Sequence, residues 1–207
     1  MDHLCAFVFK IKLIMNKVVY IIPGFRQNTK MKGYIELIKF FKTKKFKVVP
    51  IKITWKHKVM SDYIKEFQTQ LIHKKEDDVY LFGFSFGAMI AFISADKIKP
   101  KDLLLASLSP YFKEDLKYNP PAWSKYLGKK RMKDFENFSF NQLSKKINCQ
   151  TYLFVEGLKN KEILRRVKDA HKKIKKSELI IIENTKHDIS QTEYLNKVKE
   201  SINILKT

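Results

Sequence analysis

Apolar residues along the chain follow two periodicities in turn, one typical of strands and one typical of helices. Continuous or β-branched apolar runs predict buried strands, and apolar residues spaced three or four apart predict helices. The predicted strands cover residues 17–22, 46–55, 102–108, 150–155 and 178–182, together with the apolar run before Ser85. The predicted helices cover residues 30–44, 61–74, 161–175 and 192–205, together with the apolar stretch after Ser85. Pro50 interrupts the second strand, which favours an edge position or a bulge for that strand.

Alternating strands and helices with short connections predict a three-layer α/β/α fold with a mostly parallel central sheet. A chain of 207 residues, 44% of them apolar, is long enough for one well-buried core. We expect a single domain at 15–207 with one long insertion at about 111–147, where the periodicity is lost. Residues 1–14 are an N-terminal extension, whose pattern allows an added strand, a loose tail or an alternative start site.

Chemically useful residues follow four of the predicted strands. Phe25 comes shortly after the first strand, Ser85 after the third, Glu156 ends the fifth, and His187 follows the sixth. The carboxyl ends of parallel strands meet at one edge of a sheet, and ligands of open α/β sheets bind at that edge. The order of elements therefore predicts that these four residues converge.

Ser85 lies in the sequence Gly-Phe-Ser-Phe-Gly at 83–87, which has the form of a nucleophile elbow. In such a turn the serine adopts a strained backbone conformation, and the flanking glycines avoid collisions with the neighbouring strand and helix. A five-residue match is common by chance. Here a predicted strand precedes it and a predicted apolar helix follows it, as the turn requires, so we expect Ser85 to be a nucleophile.

Three segments resemble motifs of the α/β-hydrolase superfamily and occur in that family's order. They are Ile-Pro-Gly-Phe at 22–25, the elbow at 83–87 and Lys-His-Asp at 186–188. The resemblance covers about residues 15–207. It implies a sheet of the α/β-hydrolase type, with the insertion at 111–147 in the place where such hydrolases carry a cap.

The resemblance also implies roles for individual residues. His187 would accept the proton of Ser85, and the backbone N–H groups of Phe25 and Phe86 would form the oxyanion hole. The family usually has histidine at the position of Pro23, but that side chain is not itself an oxyanion donor. The alternative for His187 is an ordinary histidine of a surface loop.

The acid that orients His187 is the point at which the sequence departs from the family pattern. The family's usual spacing leads to Asn160, whose amide cannot balance the charge of an imidazolium as a carboxylate does. We expect Glu156 to be the acid, with Asn160 as the alternative position and Glu162 or Asp115 as remoter choices. Glu156 could instead be a solvated carboxylate paired with a nearby lysine.

The insertion is rich in aromatic residues. The candidates for an apolar acyl pocket within it are Tyr111, Phe112, Trp123, Tyr126 and Leu127. The alternative is that these side chains only anchor a loop.

Composition narrows the possible partners. The formal net charge is +21, but nearly all cations are lysines spread through every predicted helix, and only four are arginines. No nucleic acid partner is therefore expected.

Cys5 and Cys149 cannot form a disulfide framework and suit a reduced cytoplasm, where we place the protein. Lys10 and Lys12 break the apolar stretch that begins with the patch at 4–9, so no membrane span is expected. No metal-ligand or phosphate-binding spacing occurs, so neither a metal nor a cofactor is implied, and the oligomeric state stays open.

Together these features predict a serine hydrolase that cleaves a small or medium carboxylic ester or thioester through an acyl-enzyme. One alternative is a noncatalytic binding protein on the same fold, because the acid is missing at Asn160. The other is an acyltransferase or peptidase that uses the same serine.

Overall fold

The structure, a computed structural model, describes residues 16–158 and 160–205. The predicted extension at 1–14, with Cys5, lies outside the described residues. The described strands are β1 (Lys17–Ile22), β2 (Lys47–Pro50), β3 (Asp78–Phe84), β4 (Asp102–Ala106), β5 (Gln150–Glu156) and β6 (Ser177–Ile182). They form one parallel sheet in the order β2-β1-β3-β4-β5-β6. The five long helices are α1 (Lys32–Thr43), α2 (Met60–Gln68), α3 (Phe86–Ile98), α7 (Lys161–Lys173) and α8 (Thr192–Asn203).

Each strand contributes to two cores because its side chains point alternately to the two faces of the sheet. In β1, Val18, Tyr20 and Ile22 belong to the core that α2, α3 and α7 cover. Val19 and Ile21 belong to the core that α1 and α8 cover. Both faces of the sheet are therefore buried, and the predicted three-layer α/β/α class is confirmed.

The second predicted strand is shorter than expected. β2 is at the edge of the sheet, as Pro50 favours. The strand ends at Pro50, whereas the pattern predicts that it continues to residue 55. The chain beyond it pairs with side chains of the α2 region: Lys52 N–H donates to the Gln70 side chain (3.0 Å) and Thr54 N–H to Glu66 (3.1 Å). These bonds replace the strand pairing that the apolar pattern predicts.

The helix predicted at 61–74 also ends early, at Gln68. The N–H groups of Ile72 and His73 donate to the hydroxyl of Tyr20, at 2.8 and 3.0 Å. This buried tyrosine draws the segment out of the helix and towards β1.

The insertion predicted at 111–147 contains short elements. They are a 3-10 turn at Leu116–Tyr118 and the helices α4 (Pro121–Leu127), α5 (Lys129–Phe135) and α6 (Phe140–Ser144). The extent of the domain and the role of this insertion as a cap stay predictions. Across the described ranges, no helix combines the length and the apolar character that crossing a membrane requires.

Candidate active site

The turn between β3 and α3 holds Ser85 in a conformation that few side chains adopt. Its backbone has φ 56° and ψ −117°, outside the regions that L-residues prefer. A Cβ on Gly83 would lie 2.2 Å from the carbonyl oxygen of Gly87, and a Cβ on Gly87 would lie 2.1 Å from that of Ile22. Neither position has space for a side chain, which explains the two glycines of the motif.

Ser85, His187 and Glu156 are joined by two hydrogen bonds. The Oγ of Ser85 lies 3.0 Å from Nε2 of His187. The Nδ1 of the same ring lies 2.9 Å from Oε1 of Glu156. An ionised carboxylate can only accept, so Nδ1 carries the proton and Nε2 is free to accept one from the serine.

Glu156 is buried at the end of β5, with none of its side chain exposed. Burial by itself raises the pKa of this carboxyl, but the hydrogen bond and charge of His187 and the hydrogen bond from Ser107 outweigh it, so the pKa is lower than usual. Glu156 is therefore a carboxylate at neutral pH and can balance a positive charge on the imidazole.

The loop after β6 brings His187 to the serine. The imidazole stacks on the ring of Phe84, with centroids 4.8 Å apart. Thr185 accepts a backbone hydrogen bond from Leu158 (3.1 Å), which ties this loop to the loop after β5. About a third of the His187 side chain is exposed, so one side of the ring is held by protein and the other reaches a cavity.

Phe25 and Phe86, the predicted oxyanion-hole residues, line the same cavity as Ser85. Phe86 follows Ser85 at the start of α3, and the ring of Phe25 stacks on that of Phe86 with centroids 4.9 Å apart. In the part of the chain that the structure describes, the N–H groups of Phe25 and Phe86 have no acceptor. Tyr34 holds the early loop, because its hydroxyl accepts from Gly24 N–H at 2.9 Å.

Ser85 and His187 open into a cavity of about 240 Å³. Aromatic, proline and aliphatic side chains make up about half of its wall, and polar residues make up most of the rest. The lining residues include Phe25, Gln27, Phe86, Ser109, Pro110, Tyr111, Asn119, Pro120, Trp123, Tyr126, Leu127, Asn160, Glu162 and Ile163. Pockets for drug-sized ligands have about 300–1,000 Å³, so this cavity suits a smaller group.

Comparison with known proteins found matches only among solved structures. No protein-family model matches the chain, and no curated protein matches it in sequence. A putative hydrolase from Agrobacterium vitis superposes with a TM-score of 0.78 at 12% identity, over 92% of this chain and 88% of that one. Alpha/beta hydrolase domain-containing protein 10 from mouse superposes with a TM-score of 0.75 at 13% identity, over 90% of this chain and 88% of that one. Est1E from Butyrivibrio proteoclasticus, with ferulic acid bound, superposes with a TM-score of 0.75 at 12% identity, over 91% of this chain and 87% of that one. The chain has the α/β-hydrolase fold.

The hydrogen bonds of His187 distinguish Glu156 from the other candidate acids. Asn160 makes no hydrogen bond to His187; its amide donates to Oε1 of Glu156 (3.2 Å), and its oxygen accepts from the first turn of α7. Glu162 lines the cavity without a hydrogen bond to the imidazole. The carboxylate of Asp115 is buried and bonded to two arginines of α7. Of the four candidates, only Glu156 bonds to the ring.

The candidate site includes three polar residues that the sequence analysis did not assign to it. Ser107 and Ser109 follow β4, so the rule that placed the other residues at strand ends could have identified them. Ser109 Oγ lies 3.2 Å from Ser85 Oγ, and Ser107 Oγ lies 2.5 Å from Oε2 of Glu156. The hydroxyl of Tyr194, on α8, lies 2.7 Å from Ser107 Oγ. No local pattern distinguishes this tyrosine from an ordinary core residue.

Proposed function

We propose that the protein is a serine hydrolase that cleaves a small carboxylic ester or thioester through an acyl-enzyme on Ser85. The observation that carries the proposal is the pair of hydrogen bonds, 3.0 and 2.9 Å, that links Ser85 Oγ to Glu156 through His187. A serine hydroxyl is a weak nucleophile until an adjacent base accepts its proton, and this arrangement supplies that base.

In the first step, Ser85 Oγ bonds to the carbonyl carbon of the substrate while its proton passes to Nε2 of His187. The carbonyl oxygen becomes an oxyanion, which the free N–H groups of Phe25 and Phe86 would stabilise. Glu156 stays ionised and balances the imidazolium. The tetrahedral intermediate then collapses: the bond to the leaving oxygen or sulfur breaks, and His187 gives its proton to that atom.

In the second step, a water molecule gives a proton to His187 and bonds to the acyl carbon. The bond to Ser85 breaks, the serine recovers its proton from His187, and the acid leaves. The exposed third of the imidazole supports this step, because water can reach it. All groups that move a proton belong to this chain, the substrate or water.

The size and wall of the cavity support a limited acyl group. A volume of about 240 Å³ lined by aromatic rings favours short or flat acyl groups over long chains. Turnover should therefore fall as the acyl chain of an ester series lengthens, and thioesters of the same acids should follow the same order.

The deciding experiment is covalent labelling. Wild-type protein treated with a fluorophosphonate probe should gain one adduct, and Ser85→Ala should gain none, as mass spectrometry of the intact protein would measure. Folded wild type without an adduct would contradict the proposal and favour a noncatalytic binding protein. If the adduct forms but an added alcohol or amine takes the acyl group faster than water, the protein is an acyltransferase. Cleavage of peptide amides by wild type, absent in Ser85→Ala, would instead indicate a peptidase.

A further inference from the structure

The second oxygen of Glu156 is held by a pair of buried hydroxyls. Oε1 faces His187, whereas Oε2 accepts a hydrogen bond from Ser107 Oγ at 2.5 Å. Tyr194 adds a second hydrogen bond to this arrangement, because its hydroxyl lies 2.7 Å from Ser107 Oγ. Ser107 and Tyr194 are both completely buried, so water does not compete for these bonds.

The direction of these hydrogen bonds follows from the donors available. An ionised Glu156 only accepts, so the single proton of Ser107 must point to Oε2. The hydroxyl of Tyr194 must then donate to Ser107. Burial, followed by the negative charge of Glu156, raises the pKa of Tyr194 well above its ordinary value, so this donor keeps its proton. The two hydroxyls therefore form a chain with one possible polarity, which favours a negative carboxylate.

The backbone also places Ser107 for this contact. Ser107 has φ 52°, a left-handed conformation that is uncommon for residues other than glycine. Its N–H donates to the carbonyl of Phe154 in β5 at 2.8 Å, which fixes the turn beside the strand that carries Glu156. A strained residue that the surrounding structure determines often lies at a functional site.

We propose that Ser107 and Tyr194 are positioning residues that keep Glu156 ionised and aimed at Nδ1 of His187. Neither residue lines the cavity, so both would act through Glu156. Their contribution to catalysis rests on the proposed hydrolase function. The hydrogen-bond network itself does not depend on turnover.

The test uses variants that remove one hydroxyl each. Ser107→Gly deletes the hydroxyl at a backbone conformation that glycine adopts readily, so it avoids the strain that alanine would suffer at φ 52°. Tyr194→Phe deletes the other hydroxyl and keeps the ring. Each variant is assayed with p-nitrophenyl acetate for kcat and KM. Proton NMR then records the resonance of the Nδ1 proton of His187, a direct signature of its bond to Glu156.

Two control variants separate positioning from general stability. Ser94 is buried in α3 and its hydroxyl has no hydrogen-bond partner among the described residues, so Ser94→Ala removes a buried hydroxyl away from the site. Tyr20→Phe removes a buried tyrosine hydroxyl that bonds to the backbone of Ile72 and His73. Thermal unfolding of all four variants shows how much stability each has lost.

We expect Ser107→Gly to lower kcat by about 10- to 100-fold, as for loss of a hydrogen bond to a charged group, and to leave KM within about twofold. Tyr194→Phe should lower kcat less, and the double variant should be no worse than Ser107→Gly because the hydroxyls act in one chain. The Nδ1 proton resonance should shift or broaden in both. The controls should change neither kcat nor the resonance.

Two results would overturn the inference: an unchanged kcat and resonance in folded Ser107→Gly, or an equal loss of kcat in the control variants. A different result separates the two proposals. If wild type neither reacts with the fluorophosphonate nor turns over esters, while the resonance still moves in Ser107→Gly, the hydrolase proposal fails and the positioning network stands.

Discussion

The two walls of the cavity are built in opposite ways. On one wall, Ser85 and His187 follow strands of the sheet, and the carboxylate of Glu156, which bonds to His187 from the end of β5, is completely buried. On the other wall, Trp123 and Tyr126 lie on α4, a helix of seven residues, and about half of each side chain is exposed. The first wall holds atoms in fixed geometry, and the second presents apolar surface. This difference suggests that chemistry belongs to the sheet and substrate selection to the insertion.

The contacts of the insertion support this division. Tyr126 is bonded to Arg26 at 2.8 Å in an exposed position, and α5 is tied to the α2 region through Asp134 and Ser61. The first of these bonds is exposed, and the bonds between Asp134 and Ser61 are partly buried. The sheet wall instead depends on parallel strand pairing and buried hydroxyls, which are less tolerant of change.

The largest expected effect is loss of the nucleophile or the base. Ser85→Ala and His187→Ala should each lower kcat by several orders of magnitude, because without either residue the proton transfer has no path. The double variant should be hardly worse than either single one, since the two residues act as a unit. Steady-state ester hydrolysis measures all three, and circular dichroism checks that they fold. Additive losses, or a single variant that keeps most activity, would contradict the shared role.

A smaller but still large effect is expected at Glu156. Glu156→Gln keeps the shape of the side chain and removes the charge that balances the imidazolium, so kcat should fall by roughly 10²- to 10⁴-fold. Asn160→Ala is the matched control, because its amide donates to the same carboxylate oxygen at 3.2 Å and makes no hydrogen bond to His187. It should cost about tenfold or less. Equal losses in the two variants would remove the distinction between acid and neighbour.

The same contrast between the walls separates what the sequence could predict from what it could not. Ser85 and His187 could be predicted because a nucleophile elbow and the end of a strand are each recognisable from a few neighbouring residues. Glu156 could be predicted as the first choice among four candidates, but excluding the other three needs their distances to His187. No sequence motif near Tyr194 indicates the role of its hydroxyl, because its partner Ser107 lies 87 positions away in the chain.

The insertion shows a second limit of the sequence. Its helices α4, α5 and α6 have five to seven residues, two turns at most, which is too short for an apolar periodicity to be recognised. The pattern therefore predicted an aperiodic segment. The end of β2 at Pro50 was unpredictable for a different reason: side chains of Glu66 and Gln70 took the hydrogen bonds of the next residues.

The smallest expected effect concerns the insertion wall and tests substrate selection directly. Trp123→Ala removes a half-exposed ring that lines the cavity, so KM for a short aromatic or branched ester should rise by roughly threefold to tenfold. The value of kcat should change by about twofold or less, because Ser85 and His187 keep their positions. Tyr118→Ala is the matched control: Tyr118 is equally exposed, lies in the same insertion and does not line this cavity. Its removal should leave KM unchanged. The preference among acyl chain lengths should shift towards bulkier groups in Trp123→Ala alone, as kcat/KM over a graded ester series measures. A fall in kcat with KM unchanged would instead assign Trp123 to the catalytic wall, and the division between the two walls would fail.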